Sequence, residues 1–339
     1  MTACIRLRAL RIDRRSPGLV RAFSSSLSRD DNATASFTPA PRLSGRRCMI
    51  TGGTSGIGFA IAARFLQEGA ATVTLVGRSQ KRLLEAAERL GSSNGTAPER
   101  SEENGEVATR APEEDSQEDS FVGSNGTLQV SDRIRLLVGD ISETGSWMRE
   151  LESEMGNIDI LINAAGISTS SILPRTELSD ISRILRTNLE GAILTSRAFL
   201  RASIRSRVRS NRNDPTETKK PASKCIINVS SLLALKSGTG AVPYAASKAG
   251  LLGLTRSVAV ETSASLKDLA FRSNAIVPGY IDTPMLADFT PGEISRLKDL
   301  IPLHRFGDPS EVADAAVFLA QNEYANNCVL NLDGGLSAV

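Results

Sequence analysis

Tyr244-Ala-Ala-Ser-Lys248 places a phenol and an ammonium four residues apart. On a helix, positions i and i+4 share a face, so the ammonium can lower the phenol pKa and ready it for proton transfer. Thirteen residues before Tyr244, the run Asn228-Val-Ser230-Ser231-Leu reads as the end of a strand. A serine there could hydrogen-bond a substrate carbonyl while Tyr244 gives it a proton, which is general acid catalysis at a C=O group. Ser230 is the adjacent alternative to Ser231. Each half also has a blander reading, a surface Tyr–Lys pair and a serine that merely terminates a strand.

A third group of residues suits phosphate. Thr51-Gly52-Gly53-Thr54-Ser55-Gly56-Ile57-Gly58 lies where a short apolar run gives way to helical spacing. Glycines let the backbone approach a pyrophosphate, and a helix start offers free N–H groups and the positive end of its dipole. The spacing is G-x-x-x-G-x-G and not the common G-x-G-x-x-G, so a structural turn is the competing explanation. Its place after the first strand favours the cradle.

Positioning such groups together requires a sheet whose strand ends meet. From Arg46 onward, short β-branched runs alternate with longer stretches of helical period. Strands are expected near Arg47–Ile50, Ala71–Val76, Ile134–Val138, Ile158–Ile162, Cys225–Val229, Ser273–Val277 and Val329–Leu332. Helices are expected over Ile57–Gly69, to Leu90, to about Met155, and over Glu177–Arg205, Tyr244–Glu261 and Ser310–Ala320. Continuous apolar strands joined by helices predict a parallel sheet covered on both faces. The expected fold class is α/β, a doubly wound Rossmann-type sheet of about seven strands in a single domain, with ligands at the carboxyl edge.

Rare residues exclude other chemistry. The 339-residue chain has one histidine, His304, and four cysteines, Cys4, Cys48, Cys225 and Cys328, with no C-x-x-C spacing. No metal site is expected, and a Ser-His-Asp triad could use only His304. The scattered cysteines read as small buried or surface residues and not as disulfide halves. No run of 18 apolar residues suggests a membrane span.

The net charge of +2 hides an asymmetry. Residues 1–47 hold ten Arg and three Asp with no Lys or Glu, so the basic excess points to no nucleic acid. Residues 1–22, rich in Arg and Ser with apolar residues between, have the composition of a mitochondrial presequence, followed by a linker over 23–43; a disordered basic tail is the alternative. Residues 91–131 carry nine acidic residues against two Arg and are expected to be a disordered acidic insertion. Residues 208–222 form a shorter polar insertion. What remains, 44–339 without the insertions, is the size of one α/β domain.

With TGGTSGIG at 51–58, Asp140 after the third strand, Asn163-Ala-Ala-Gly166 after the fourth, Asn188, Ser231, Tyr244 with Lys248, and Pro278-Gly279, the chain resembles the short-chain dehydrogenase/reductase family from about Leu43 to Val339. The resemblance implies that Tyr244 is the general acid and that Lys248 holds the nicotinamide ribose and depresses the phenol pKa. Ser231 would orient the carbonyl, and Asn188 would hold a water in the proton relay. It implies cofactor contacts at Thr51, Gly52, Thr54, Ser55, Gly56, Ile57 and Gly58. Further contacts would come from Asp140 at the adenine with Ile141 beside it, from Asn163, Ala164 and Gly166, and from Pro278 and Gly279, with Ile281 and Thr283 at the carboxamide. At Val76-Gly77-Arg78, where an acid would select NAD, Gly77 removes repulsion and Arg78 can pair with a 2′-phosphate, so NADPH is expected; an Arg78 that merely solvates a helix start is the alternative.

Within the family, segments 243–251, 277–285 and 301–312 look most like 3-oxoacyl-[acyl-carrier-protein] reductases. That implies an acyl carrier protein bearing a 3-oxoacyl chain as partner and, with the N-terminal composition, the mitochondrial matrix as location. A reductase of a free ketone or secondary alcohol is the alternative, and a non-catalytic nucleotide-binding subunit is a third reading that intact Asn188, Ser231, Tyr244 and Lys248 argue against. The apolar residues of Met285–Ile301 suit either a lid over an acyl chain or core packing. Arg183, Arg186, Arg197, Arg201 and Arg205 suit either a carrier-protein patch or a solvated face. Asn326-Asn327 stands where relatives usually have Thr-Gly near a subunit interface, which bears on the homotetramer or homodimer that the family implies.

Overall fold

The computed structural model describes residues 41–92, 126–143, 145, 147–213, 223–236, 238–266, 269–287 and 289–339. The expected presequence lies outside the described residues, as do 23–40 and most of both insertions. Along strand β1 (Arg47–Thr51), Cys48 and Ile50 join one buried apolar cluster while Met49 joins another. The same split recurs at Ile160, Ile162 against Leu161 in β5 (Ile160–Asn163), and at Cys225, Ile227 against Ile226 in β6 (Lys224–Val229). Period-2 alternation with apolar residues on both sides is what a sheet covered on both faces demands.

The sheet has eight strands in the order β3-β4-β2-β1-β5-β6-β7-β8, completed by β2 (Thr72–Gly77), β3 (Thr127–Gln129), β4 (Ile134–Val138), β7 (Phe271–Pro278) and β8 (Val329–Leu332). All neighbours are parallel except β3, which runs antiparallel to β4. Helices α1 (Gly56–Gln67), α2 (Gln80–Ser92), α3 (Met148–Met155), α4 (Leu178–Leu185), α5 (Gly191–Asn213), α6 (Val242–Ser265), α7 (Pro291–Leu300) and α8 (Pro309–Gln321) make up the rest. Strand order reverses between β1 and β5, so a crevice opens at their carboxyl ends. Register pairs Thr51 with Asn163 and Asn163 with Asn228, bringing the ends of β1, β5 and β6 level.

Four boundaries differ from expectation. Residues 127–129 belong to the segment expected to be disordered, yet they form the edge strand β3, a run too short for periodicity to reveal. Helix α5 runs to Asn213, into the polar insertion. Leu43, placed in the linker, is 1% exposed with its N–H bonded to the Glu68 carbonyl, so the folded unit begins before residue 44. The helix expected over Glu177–Arg205 is interrupted by a π turn at Arg186–Glu190.

The departure at Asn326-Asn327 has a local account. Asn327 adopts φ 55°, a left-handed conformation that asparagine tolerates where glycine would be at ease. The Asn326 Oδ1 accepts from the Ser273 N–H, fastening this turn to β7. Beside it, the buried Arg272 guanidinium donates to the carbonyls of Leu319, Ala320 and Ala325, a cation placed at the negative end of α8.

Candidate active site

The glycine loop is built so that side chains would not fit. A Cβ on Gly58 would lie 2.3 Å from the Gly52 carbonyl oxygen, and one on Gly52, which has φ 70°, would lie 2.6 Å from Ala165 Cα. The loop after β1 therefore packs directly on the Ala164–Gly166 turn after β5, across the crevice. Ser55 precedes α1 in extended conformation without a side-chain cap, and the first turn of α1 contains no acid. Uncapped N–H groups and a dipole without a built-in counter-charge form a seat for an anion. Thr283 closes the other side, with its Cγ2 3.3 Å from where a Gly56 Cβ would stand.

The remaining expected cofactor residues ring this crevice with different degrees of freedom. Arg78, at the end of β2, is exposed and has no hydrogen bond or ion pair among the described residues; Thr54 lies beside neighbouring Gly77. Asp140 is fixed after β4: its carbonyl accepts from the Trp147 indole at 2.9 Å and its Oδ1 from Ser142 N and Oγ. Ile141 is buried and packs where Gly191 lacks a side chain. Ile57 and Ala164 pack on the core. Pro278 ends β7, and Gly279 is pressed against Asp333, whose Cα would be 2.8 Å from an added Cβ. Ile281 is buried and bridges Gly307, and the Thr283 hydroxyl donates to the Ile281 carbonyl.

Two expected contacts are spent inside the fold. The Asn163 carboxamide donates to Asn228 Oδ1 (2.9 Å) and Ser196 Oγ (3.2 Å) and accepts from Thr195 Oγ1 (2.8 Å), so its side chain faces away from the crevice. The Thr51 hydroxyl reaches toward the Ile162 carbonyl and accepts from Ala165 N–H, tying β1 to β5. For these two, the side chains brace the crevice and do not line it.

Tyr244, Ser231 and Lys248 come together as the spacing predicts. The Ser231 hydroxyl accepts from Leu233 N–H, capping the short 3-10 turn Leu232–Ala234, and its side chain stands near enough to the Tyr244 phenol to oppose the rise that burial gives the phenol pKa. The Lys248 Nζ donates to the Val229 carbonyl at 2.9 Å and lies 5.6 Å from the Tyr244 ring centroid. Gly166 makes room for it: a Cβ there would approach Nζ to 3.1 Å. Ser230 is excluded as the partner of Tyr244, because its buried hydroxyl donates to the Lys248 carbonyl at 2.7 Å.

The electrostatics correct one expectation. Tyr244 has its pKa raised above the ordinary phenol value, because burial outweighs the opposing influence of the nearby Ser231. Burial likewise pushes Lys248 down to about 8. Lys248 is thus a depressed cation seated on a carbonyl, and Tyr244 is held as a protonated donor and not as a phenolate.

Asn188, in the π turn, accepts from Ile167 N–H (2.8 Å) and donates to the Ile167 carbonyl (2.9 Å) and Ser247 Oγ (3.0 Å). It clamps the segment after β5 to α6. Ser247, which joins Asn188, and Thr255, which accepts from Asn228 Nδ2, carry no signal in the sequence that marks them. Of the surface arginines, Arg201 and Arg205 pair with Glu152 and Arg183 pairs with Asp180, which gives those three a structural use. In the Met285–Ile301 stretch, Leu297 and Ile301 are buried while Met285 is 50% exposed. His304 is exposed in a turn at φ 53°. Cys48, Cys225 and Cys328 are unpaired. Among the described residues, no three His, Cys, Asp or Glu cluster as metal ligands, and no helix is long and apolar enough to cross a membrane.

A glycine cradle at a switch point, with half-buried Ser231 and Tyr244 and buried Lys248 beside it, suits dinucleotide binding and proton transfer to a carbonyl. The family model described as Enoyl-(Acyl carrier protein) reductase matches residues 86–337, and the one described as short chain dehydrogenase matches 46–100. The chain belongs to the short-chain dehydrogenase/reductase family and is an oxidoreductase. It is 32% identical over 290 residues to 3-oxoacyl-[acyl-carrier-protein] reductase of Rattus norvegicus, covering 85% of this chain and 97% of that protein. The Thermotoga maritima enzyme of the same name is 32% identical over 299 residues, covering 87% and 99%. The Bos taurus enzyme of that name is 39% identical over 187 residues, covering 55% and 70%. Among solved structures, an NAD(P)-dependent gluconate 5-dehydrogenase from Beutenbergia cavernae with bound NADP is similar at TM-score 0.66 and 25% identity, covering 88% of this chain and all of that one.

Proposed function

We propose that this protein reduces 3-oxoacyl groups on acyl carrier protein to 3-hydroxyacyl groups, using NADPH, in type II fatty-acid synthesis of the mitochondrial matrix, as a homodimer or homotetramer. The observation that carries the reading is Lys248, buried and donating to the Val229 carbonyl one helical turn from Tyr244, with Ser231 at the same strand end, in a chain whose full-length relatives bear that enzyme's name. The residues fit a dinucleotide: Gly52 and Gly58 leave backbone where a Cβ would collide, α1 begins uncapped, and Arg78 is free for a 2′-phosphate. The matrix location is supported by the arginine-rich, acid-poor composition of residues 1–22.

The reduced nicotinamide would supply hydride to C3 of the thioester chain. Ser231 donates to the ketone oxygen, orienting it and stabilising charge as it develops. Tyr244, kept protonated by burial, gives its proton to that oxygen. Lys248, fixed by Val229, holds the ribose and stabilises the phenolate left behind. Asn188 keeps Ile167 and Ser247 in place around the lysine.

The test is NADPH oxidation by the protein lacking residues 1–22, with a 3-oxoacyl thioester on carrier protein compared against free ketones. Strong preference for the carried thioester is expected. Activity on free ketones alone would keep the oxidoreductase and overturn the pathway.

A further inference from the structure

Three successive residues at the end of strand β6, Asn228, Val229 and the following Ser230, all engage one helix. The Asn228 Nδ2 donates to Thr255 Oγ1 at 2.9 Å, the Val229 carbonyl accepts from Lys248 Nζ at 2.9 Å, and the Ser230 hydroxyl donates to the Lys248 carbonyl at 2.7 Å. Ser231 follows as the cap of the turn Leu232–Ala234, with Tyr244 in the first turns of α6. Asn228, Ser230, Thr255 and Lys248 are at most 4% exposed, so water does not compete for these bonds.

The spacing of the hooks gives them a mechanical meaning. Residues 228 and 230 lie on one side of the strand by its period of two, about 7 Å apart. Residues 248 and 255 are two turns apart on α6, about 10 Å. Two attachment points of unequal spacing fix both the axial position and the angle of the helix on the strand, which one point would leave free. Lys248 is gripped twice, at its carbonyl by Ser230 and at its ammonium by Val229. A slide of α6 by a fraction of an ångström would move Tyr244 and Lys248 together relative to Ser231, which the strand carries.

The geometry points to Ser230 as a positioning residue: its hydroxyl, with the Asn228–Thr255 bond as second anchor, sets the register of α6 on β6 and so the distance from Ser231 to the Tyr244–Lys248 pair. This assignment rests on the roles given above to Ser231, Tyr244 and Lys248. Ser230 touches neither substrate nor cofactor in this scheme. Its effect falls mainly on turnover, because the glycine loop and Arg78, which would receive the phosphates, follow β1 and β2 and do not move with α6, so Lys248 at the ribose is the one cofactor contact exposed to the shift.

The experiment compares Ser230→Ala, Thr255→Val and Tyr244→Phe in kcat per folded molecule, in NADPH Kd by fluorescence, and in the pH profile of kcat. Ser230→Ala is expected to lower kcat about tenfold and Thr255→Val about threefold. Both should keep NADPH Kd within about twofold and displace the alkaline limb, whose position depends on how Lys248 is seated. Should Ser230→Ala fail to fold, Thr255→Val carries the same test. Folded variants with kcat within twofold of the parent and a superimposable pH profile, whatever their Tm, would overturn the assignment. Retained turnover in Tyr244→Phe would instead overturn the catalytic reading on which it rests.

Discussion

A lysine at 4% exposure stabilises nothing by itself, and Lys248 is such a residue. Burial holds its pKa at about 8 in the folded chain against 10.5 when exposed, so below pH 8 folding carries a cost of about 3 kcal/mol at 1.36 kcal/mol per unit. Because the folded state binds fewer protons between pH 8 and 10.5, that cost shrinks across this window and vanishes above it. Lys248→Met should therefore raise the Tm of the cofactor-free protein at pH 7 while abolishing turnover, and thermal melts should show the difference from the parent closing between pH 8 and 10.5. An unchanged or lower Tm at pH 7 would mean the ammonium is better solvated than its burial implies. Arg78 makes the opposite kind of prediction, since it is exposed and has no hydrogen bond or ion pair among the described residues. Arg78→Ala should raise KM for NADPH about tenfold or more and KM for NADH less than twofold, by loss of a charge-assisted contact; equal changes in steady-state kinetics would remove it from the site. The identities of Tyr244, Lys248 and Ser231 were legible in the sequence because helical spacing and a strand end locate them. The direction of the Tyr244 pKa was not, because the count of neighbours that bury the phenol is a tertiary quantity. The internal use of the Asn163 side chain was not legible for the same reason: its partners Asn228, Thr195 and Ser196 come from two other elements.

At the scale of elements, the cradle depends on backbone lying against backbone. Gly58→Ala puts a methyl 2.3 Å from the Gly52 carbonyl and 3.2 Å from Gly53 Cα, neither of which can rotate away. The loop must open, at roughly 1–3 kcal/mol of stability, and NADPH Kd should rise by more than about tenfold, read by calorimetry with the Tm measured in parallel. Near-parental affinity would show that the loop accommodates the methyl without losing its ligand shape. The helix–strand alternation that builds this cradle was readable because β1, β5 and β6 are continuous apolar runs. The edge strand β3 was not, since three residues carry no period, and the π turn at Arg186–Glu190 was not, since one wide turn leaves the apolar pattern of the flanking helices intact. That turn nonetheless decides the site, because it aims Asn188 at Ile167 and Ser247.

At the scale of the whole sheet, the ends of β1, β5, β6 and β7 each bring one part of the chemistry to the crevice at the switch point. Phosphate binding comes from β1, the turn that admits Lys248 from β5, Ser231 from β6 and the Ile281–Thr283 closure from β7. The proposed compartment rests on the arginine-rich composition of residues 1–22. Residues 1–40 fused to a fluorescent protein should reach mitochondria, and diffuse fluorescence would leave the enzyme without the proposed compartment. The measurement that bears most directly on the central claim is Tyr244→Phe, assayed for NADPH binding and for turnover of a 3-oxoacyl thioester on carrier protein. The phenol hydroxyl donates the proton and builds no part of the glycine cradle, so NADPH Kd should stay within about threefold while kcat falls at least about a hundredfold. Turnover retained within tenfold of the parent would contradict the account.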